Sequence, residues 1–179
     1  MTTPTPVLYD CEASDLEGYP IEVGWAFTDS GTGALVSESH LIKPPADWPV
    51  KESWDRAAER LHGIALVQLW RDGSPVWEVA RRMNAALSGR ELFSDASQDE
   101  AWLRLLFDAA GFEPTFTIRR TDARVLISRA ATDRGLDEAA YARAKALATE
   151  MAPRRHRAEA DARHLALLWN IVALGTLEP

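Results

Sequence analysis

The chain has 179 residues, of which 46% are hydrophobic and 26% are charged, and its net charge at pH 7 is −7. This length and composition are typical of one globular domain, so we expect a single domain over residues 1–179. The acidic balance argues against a protein that coats duplex nucleic acid, because binding to many phosphates requires a basic surface.

The sequence contains no feature that favours secretion or a membrane. Its one cysteine, Cys11, excludes an internal disulfide and suits a reducing compartment. The first ten residues, MTTPTPVLYD, have neither the basic flank nor the apolar core of a signal peptide. The most apolar stretch, residues 165–174, is too short to cross a bilayer and is interrupted by Asn170. These observations predict a cytoplasmic protein with no membrane partner.

The charge is unevenly distributed along the chain. Residues 115–165 hold 11 basic and 7 acidic side chains, whereas the rest of the chain holds 9 basic and 20 acidic ones. A basic region on an acidic protein is compatible with an anionic partner that is small or contacts the protein locally.

Three strands are predicted in the first 43 residues. Residues 6–12 begin with apolar and β-branched side chains, residues 20–28 alternate apolar side chains on one face, and residues 34–43 follow the turn sequence DSGTG. Three prolines end this run, and residues 47–73 are predicted to be irregular or weakly helical.

Helices and short strands alternate in the rest of the chain. The first helix is predicted to run to residue 87, with Ser74 as its N-cap and Pro75 at its first position. The pair Ser97 and Glu100 has the spacing of a capping box for a helix over 98–110, which Gly111 ends. The further predictions are strands at 91–94 and 115–118 and helices at 122–133, 137–150 and 158–174.

This order of elements predicts an α/β fold. A mixed central sheet of about five strands, beginning with a three-strand antiparallel meander, would be flanked by α-helices. The glycines form no phosphate-binding loop pattern, which argues against the doubly wound nucleotide-binding folds.

Two acids lie close together at the end of the first strand. Because residues two apart share a face of a strand, Asp10 and Glu12 are predicted to project together while Cys11 points to the opposite side. Asp15 and Glu17 repeat this spacing in a polar turn, where solvated acids are the simpler interpretation.

Two more acids occupy unusual positions on helices. Asp99 heads the apolar stripe of the helix over 98–110, and Asp161 heads the stripe of the last helix. An acid in an apolar stripe is costly unless it is paired or coordinated, although contact with the helix N-terminus is an alternative for Asp99. His156 precedes the last helix, and a lone histidine is more often structural or exposed than catalytic.

Four carboxylates that converge repel one another, and a hard divalent cation reverses this repulsion. Oxygen ligands suit Mg²⁺ or Mn²⁺, and no second histidine or cysteine accompanies the four acids to favour zinc. Two such ions about 4 Å apart stabilise the attacking and leaving oxygens of a phosphoryl displacement.

These motifs resemble those of the DEDDh-type 3′→5′ exonucleases, the family that includes proofreading exonucleases, oligoribonuclease and RNase T and that has an RNase H-like fold. Residues 10–12 match the first motif, D-x-E, and residues 95–103, DASQDEAWL, match the second motif with Asp99 as its acid. His156, Ala158 and Asp161 match the third motif, HxAxxD, in full. Residues 62–64, HGI, resemble a triplet found between the first two motifs. The resemblance covers essentially the whole chain.

Two stretches depart from the family pattern. Asp95 and Gln98 stand where the family often has asparagine and phenylalanine, and EASDL follows the first strand where a threonine-rich stretch is more usual. These positions line the substrate cleft in the family, so the departures leave the choice between RNA and DNA open.

The resemblance implies a metal-dependent 3′→5′ exonuclease that releases nucleoside 5′-monophosphates from single-stranded 3′ ends or short oligonucleotides, with a homodimer as a further expectation. Asp10, Glu12, Asp99 and Asp161 would hold two Mg²⁺ or Mn²⁺ ions, and His156 would be the general base. The expected substrate-binding residues are Cys11, Ala13, Ser14, Leu16, His62, Asp95 and Arg155.

Several alternatives stay open at this point. A catalytically silent module of the same fold would bind nucleic-acid ends or a protein partner, and a structural domain would carry the acids by chance. Leu16 either contacts the terminal nucleotide or packs in the core. Arg154, Arg155 and Arg157 either bind substrate phosphates or form an exposed basic loop.

Overall fold

The computed structural model describes residues 5–175. Across these residues the chain forms one mixed sheet of six strands in the order β4-β3-β2-β1-β5-β6. The first three strands pair antiparallel, whereas β4, β5 and β6 lie parallel to their neighbours. The strands are β1 (Val7–Ala13), β2 (Pro20–Thr28), β3 (Leu35–Lys43), β4 (Ser74–Pro75), β5 (Glu91–Phe93) and β6 (Thr117–Ile118).

Helices cover both faces of this sheet. They are α1 (Arg56–His62), α2 (Leu66–Asp72), α3 (Val76–Leu87), α4 (Ser97–Ala110), α5 (Ala123–Asp133), α6 (Glu138–Met151) and α7 (Ala158–Trp169). A π-helical turn, Asn170–Leu174, extends α7 and ends at Gly175, whose φ of 71° is readily adopted by glycine. The α/β class and the antiparallel meander are therefore confirmed.

One local prediction is confirmed in part, and two are wrong. Residues 47–73 contain two short helices, the first capped by the Asp55 side chain, which accepts a hydrogen bond from the Ala57 amide at 2.7 Å. Ser74 is not an N-cap, because Ser74 and Pro75 pair with the end of β3 as a short strand. The capping box is also absent: Ser97 already belongs to α4, and Ala96 at the N-cap has no side-chain acceptor.

The two faces of the sheet have separate cores. Tyr9 and Cys11 of β1 pack with α3 and α4, as the predicted orientation of Cys11 requires. Leu8 of β1 and Ala26 of β2 pack with α5, α6 and α7 instead. Since side chains alternate along a strand, Asp10 and Glu12 share the α7 face with Leu8.

The start of α7 lies unusually close to β2. A Cβ atom added to Gly24 would lie 2.4 Å from backbone atoms of both Ala158 and Glu159. Only glycine permits this approach, which places the first turn of α7 directly over β2 and next to the end of β1.

In the part of the chain that is described, every helix is too short or too polar to traverse a lipid bilayer.

Candidate metal centre

Three carboxylates meet where β1 ends beneath the first turn of α7. Asp10 and Glu12 come from β1 and Asp161 from α7, and one oxygen of each lies within 4.8 Å of the others. Asp10 and Asp161 are almost completely buried, whereas Glu12 is partly exposed. The strand and helix patterns that pointed these acids inward therefore bring them to one place.

The fourth predicted acid, Asp99, reaches the same region from the opposite face of the sheet. Its carboxylate is buried and accepts hydrogen bonds from the Ser94 hydroxyl and the Cys11 amide. Asp99 lies beside the three-carboxylate group, and its charge is the strongest of the neighbouring charges that act on Asp10. Ser94 was missed by the sequence analysis, although it lies one residue before the second motif.

Burial and mutual repulsion make ionisation of these acids unfavourable. Burial is the main cause in each case, and repulsion by neighbouring carboxylates adds to it. Together they raise the pKa of Asp10 well above its ordinary value, that of Glu12 to about 8 and that of Asp99 to about 7. Because every converging donor is a carboxylate oxygen, the group fits hard divalent cations such as Mg²⁺ or Mn²⁺.

A buried ion pair that the sequence analysis missed supports the group. Glu22 lies directly opposite Glu12 in the β1–β2 pair. Its carboxylate accepts two hydrogen bonds from the Arg157 guanidinium, at 2.9 and 2.6 Å, and one from the Ala158 amide at 3.0 Å. These hydrogen bonds link the start of α7 to β2. Only the strand register, which the sequence does not reveal, identifies Glu22 as a neighbour of Glu12.

The segment before α7 is anchored on Asp161 and Asp95. The Arg155 amide donates to Asp161 Oδ1 at 2.8 Å. The Arg154 guanidinium donates to Asp95 at 2.6 Å and lies 3.5 Å from Asp161 Oδ2. Arg154 and Arg157 are thus engaged by carboxylates of this chain and do not form a free basic loop, and the side chain of Arg155 is exposed.

His156 lies in this segment with its side chain exposed. Its φ of 51° falls in the left-handed region, and it is the one residue other than glycine with positive φ in the described part of the chain. Such a conformation persists only where the surroundings hold it, and here the neighbouring Arg155 amide is bonded to Asp161. The structure therefore places the backbone of His156 next to a residue whose amide is bonded to Asp161.

A cavity of about 480 Å³ opens beside Glu12, and we call it the Leu16 cavity. Its lining includes Glu12, Ala13, Leu16, Leu61, His62 and Trp102. Leu16 is 72% exposed, which excludes the alternative that it packs in the core. Cys11 also borders the cavity, although its side chain belongs mainly to the core.

His62 is a buried member of the Leu16 cavity wall. Its Nδ1 accepts a hydrogen bond from the Ile64 amide at 3.0 Å, which requires the proton of the neutral ring to be on Nε2. Within residues 5–175, Nε2 has no hydrogen-bond partner. Burial lowers the pKa of His62, so the ring is a neutral donor at pH 7.

Two of the expected substrate contacts are bonded to other residues of the chain. Ser14 is completely buried, where its hydroxyl accepts from the Tyr19 amide and bonds to Ser53, so it braces the turn after β1. Asp95 is nearly buried, and Arg154 occupies its carboxylate. Both side chains are therefore engaged within the chain, and direct contact of either with a substrate stays a prediction.

No family model matches the sequence, and no curated protein matches it at a significant level. Solved structures of E. coli exonuclease I do match. The complex with a dA16 oligonucleotide has a TM-score of 0.66 and 15% identity over 98% of this chain. The zinc-ion-bound complex with single-stranded DNA has a TM-score of 0.64 and 16% identity, also over 98%.

The apo form of exonuclease I gives a similar result, with a TM-score of 0.62 and 17% identity over 95% of this chain. The present chain spans 42% of the length of these exonuclease I chains. At such low identity the likeness concerns the fold, and it confirms the expected architecture. The chain has the RNase H-like α/β fold found in exonuclease I.

Proposed function

We propose that this chain is a metal-dependent 3′→5′ exonuclease domain that hydrolyses single-stranded DNA or RNA to nucleoside 5′-monophosphates. The observation that carries the proposal is the meeting of Asp10, Glu12 and Asp161, whose oxygens lie within 4.8 Å of one another in a largely buried site. The fold shared with exonuclease I, which has been crystallised with single-stranded oligonucleotides, supports the same substrate class.

The charges of the site support two divalent ions. Two of the surrounding acids are paired, Glu22 with Arg157 and Asp95 with Arg154. Asp10, Glu12, Asp99 and Asp161 then remain as four carboxylates, and two divalent cations would balance them. Bound there, the ions would supply acidification of the attacking water and stabilisation of the charge on the phosphate.

The chain's own groups have distinct roles in this proposal. The three converging carboxylates and Asp99 hold the ions, and the Glu22–Arg157 pair fixes the helix that carries Asp161. His156 accepts a proton from the attacking water. Histidine is the side chain that most often serves as a general base.

The Leu16 cavity would receive the nucleoside at the 3′ end. Leu16 and Leu61 offer exposed apolar surface to a base. The unpaired Nε2–H of His62 would donate a hydrogen bond to an oxygen of the terminal nucleotide. The Arg155 side chain, exposed next to His156, is the remaining candidate for a phosphate contact.

Digestion of single-stranded DNA and RNA labelled at the 5′ end, with Mg²⁺, Mn²⁺ or EDTA, tests the proposal. We expect a ladder that shortens one nucleotide at a time and is abolished by EDTA. Asp99→Asn should be inactive, whereas Asp108→Asn, an exposed acid on the same helix, should retain full activity. Full activity in EDTA, or internal cuts alone, would disprove the proposal.

The alternative of a silent module predicts a different result. Such a module would bind the labelled strands in the same buffers and leave their length unchanged with every metal. The expectation of a homodimer is checked on the same preparation by light scattering.

A further inference from the structure

A second cavity, of about 620 Å³, lies among α5, α6 and α7. Four basic side chains, Arg124, Arg129, Lys145 and Arg154, line it together with two acids, Asp95 and Asp122. We call it the basic cavity. All four come from residues 115–165, the stretch in which basic residues outnumber acidic ones, and the proposed catalytic chemistry uses none of them.

The cations of the basic cavity divide into two kinds. Arg124 is bonded to Asp122 and to the Asp95 carbonyl, and Arg154 is bonded to Asp95. Arg129 and Lys145 differ, since neither takes part in an ion pair among the residues that the structure describes. Lys145 instead lies 4.9 Å from the centroid of the Tyr141 ring. Two exposed cations are thus available to an anionic ligand.

The carboxylate group lies between the two cavities. Glu12 borders the Leu16 cavity. Arg154, which contacts Asp161, borders the basic cavity, as do His164 and Leu165, one helical turn beyond Asp161. Consider a nucleic-acid strand whose terminal nucleoside lies in the Leu16 cavity and whose last phosphodiester lies at the carboxylates. Its preceding nucleotides would then extend into the basic cavity.

We propose that the basic cavity binds the nucleotides upstream of the scissile bond, with Arg129 and Lys145 contacting the phosphates of a single-stranded nucleic acid. This inference rests on the proposed function for the direction of the strand. It explains how a protein with a net charge of −7 would hold a polyanion, because the contact is confined to one locally basic site.

Salt-dependent binding without hydrolysis tests this site. Fluorescein-labelled oligothymidylates, a dinucleotide and an octanucleotide, are titrated in EDTA at several KCl concentrations. Lys145→Gln and Arg129→Gln should each weaken octanucleotide binding and lower the slope of log K against log salt by about 0.7, the contribution of one phosphate contact on a single strand. The dinucleotide is too short to fill both cavities, so its affinity should not change.

Arg143→Gln is the matched control, because Arg143 is an exposed cation on α6 that does not line the cavity. Circular dichroism verifies that all three variants are folded. Equal salt slopes in the three variants and the parent would overturn the inference, as would failure of the parent to bind the octanucleotide.

These titrations, together with the digestion assay in Mg²⁺ or Mn²⁺, separate the two proposals. A protein that binds through Lys145 and Arg129 but hydrolyses nothing with Mg²⁺ or Mn²⁺ supports the cavity and disproves the nuclease. A protein that hydrolyses normally, with an unchanged slope in Lys145→Gln, disproves the cavity and leaves the nuclease intact.

Discussion

Arg157, the residue before α7, and Glu22 on β2 form an ion pair in which two guanidinium nitrogens donate to the two carboxylate oxygens, at 2.9 and 2.6 Å. Only 2% of the Glu22 side chain is exposed, whereas 45% of the Arg157 side chain is. The pair therefore connects the start of the helix that carries Asp161 to the strand beside Glu12.

Arg157→Ala should destabilise the protein, because it leaves Glu22 buried with the Ala158 amide as its remaining donor. We expect a loss of about 3 kcal/mol, at the low end of the usual range because the guanidinium is half-exposed. Urea unfolding measures this loss. Arg104→Ala, which removes an exposed pair with Glu100, should cost less than about 1 kcal/mol. Equal losses in the two variants would contradict a structural role for the Glu22 pair.

Gly24→Ala should disturb both stability and metal binding. The new methyl group would lie 2.4 Å from backbone atoms of Ala158 and Glu159, so α7 must shift and carry Asp161 with it. Overpacking of this kind typically costs roughly 1–3 kcal/mol. In the matched control, Gly31→Ala, the nearest atom is 3.4 Å from the added Cβ. Calorimetric titration with Mn²⁺ should show weaker binding in Gly24→Ala and parental binding in Gly31→Ala. Parental affinity in Gly24→Ala would show that the position of α7 does not determine metal binding.

His156→Asn should separate catalysis from metal binding. Asparagine tolerates positive φ better than most residues, so the backbone at this position should persist. Since the side chain is proposed to act on the water and not on the metal, Mn²⁺ affinity should stay near the parental value. Turnover should fall roughly 10²–10⁴-fold, the usual contribution of a positioned general base. A loss of Mn²⁺ affinity as large as that of Asp161→Asn would make His156 a ligand or a structural prop.

His62 should contribute to the pH dependence of stability. Burial lowers its pKa below the ordinary 6.5 in the folded state, so the unfolded chain takes up a proton first as the pH falls. The contribution is present above pH 6.5 and is lost as the pH falls through the folded pKa. NMR titration should find less than half of the His62 rings protonated at pH 6.5, and in His62→Asn the free energy of unfolding should decrease less between pH 7.5 and 5.5. A ring that titrates at its ordinary value would contradict this prediction.

The carboxylate group could be predicted because each acid breaks a pattern in its own element. Asp10 and Glu12 share a strand face, and Asp99 and Asp161 interrupt apolar helical stripes. The residue spacing within a single strand or helix is therefore enough to predict that each acid points inward. The exposure of Leu16 could not be predicted in this way, since an apolar residue in a turn is compatible with both the core and the surface.

The roles of Glu22 and Arg154 could not be predicted from the sequence, because they depend on contacts between different strands and helices. Glu22 alternates with apolar residues on β2, as a solvent-facing acid would, and only the register with Glu12 shows that it is buried. The start of α3 was placed too early for a similar reason: Ser74 and Pro75 have local cap preferences, but their pairing with β3 decides their conformation.

The carboxylates that meet at the end of β1 are far apart along the chain, since Asp10 lies on the first strand and Asp161 on the last α-helix. During synthesis on the ribosome, a growing chain has β1 and Glu22 long before it has α7. Such a chain has neither the third carboxylate nor the helix that closes the site. The inferred hydrolytic activity would therefore require α7, and any piece of this sequence that ends before Asp161 would lack it.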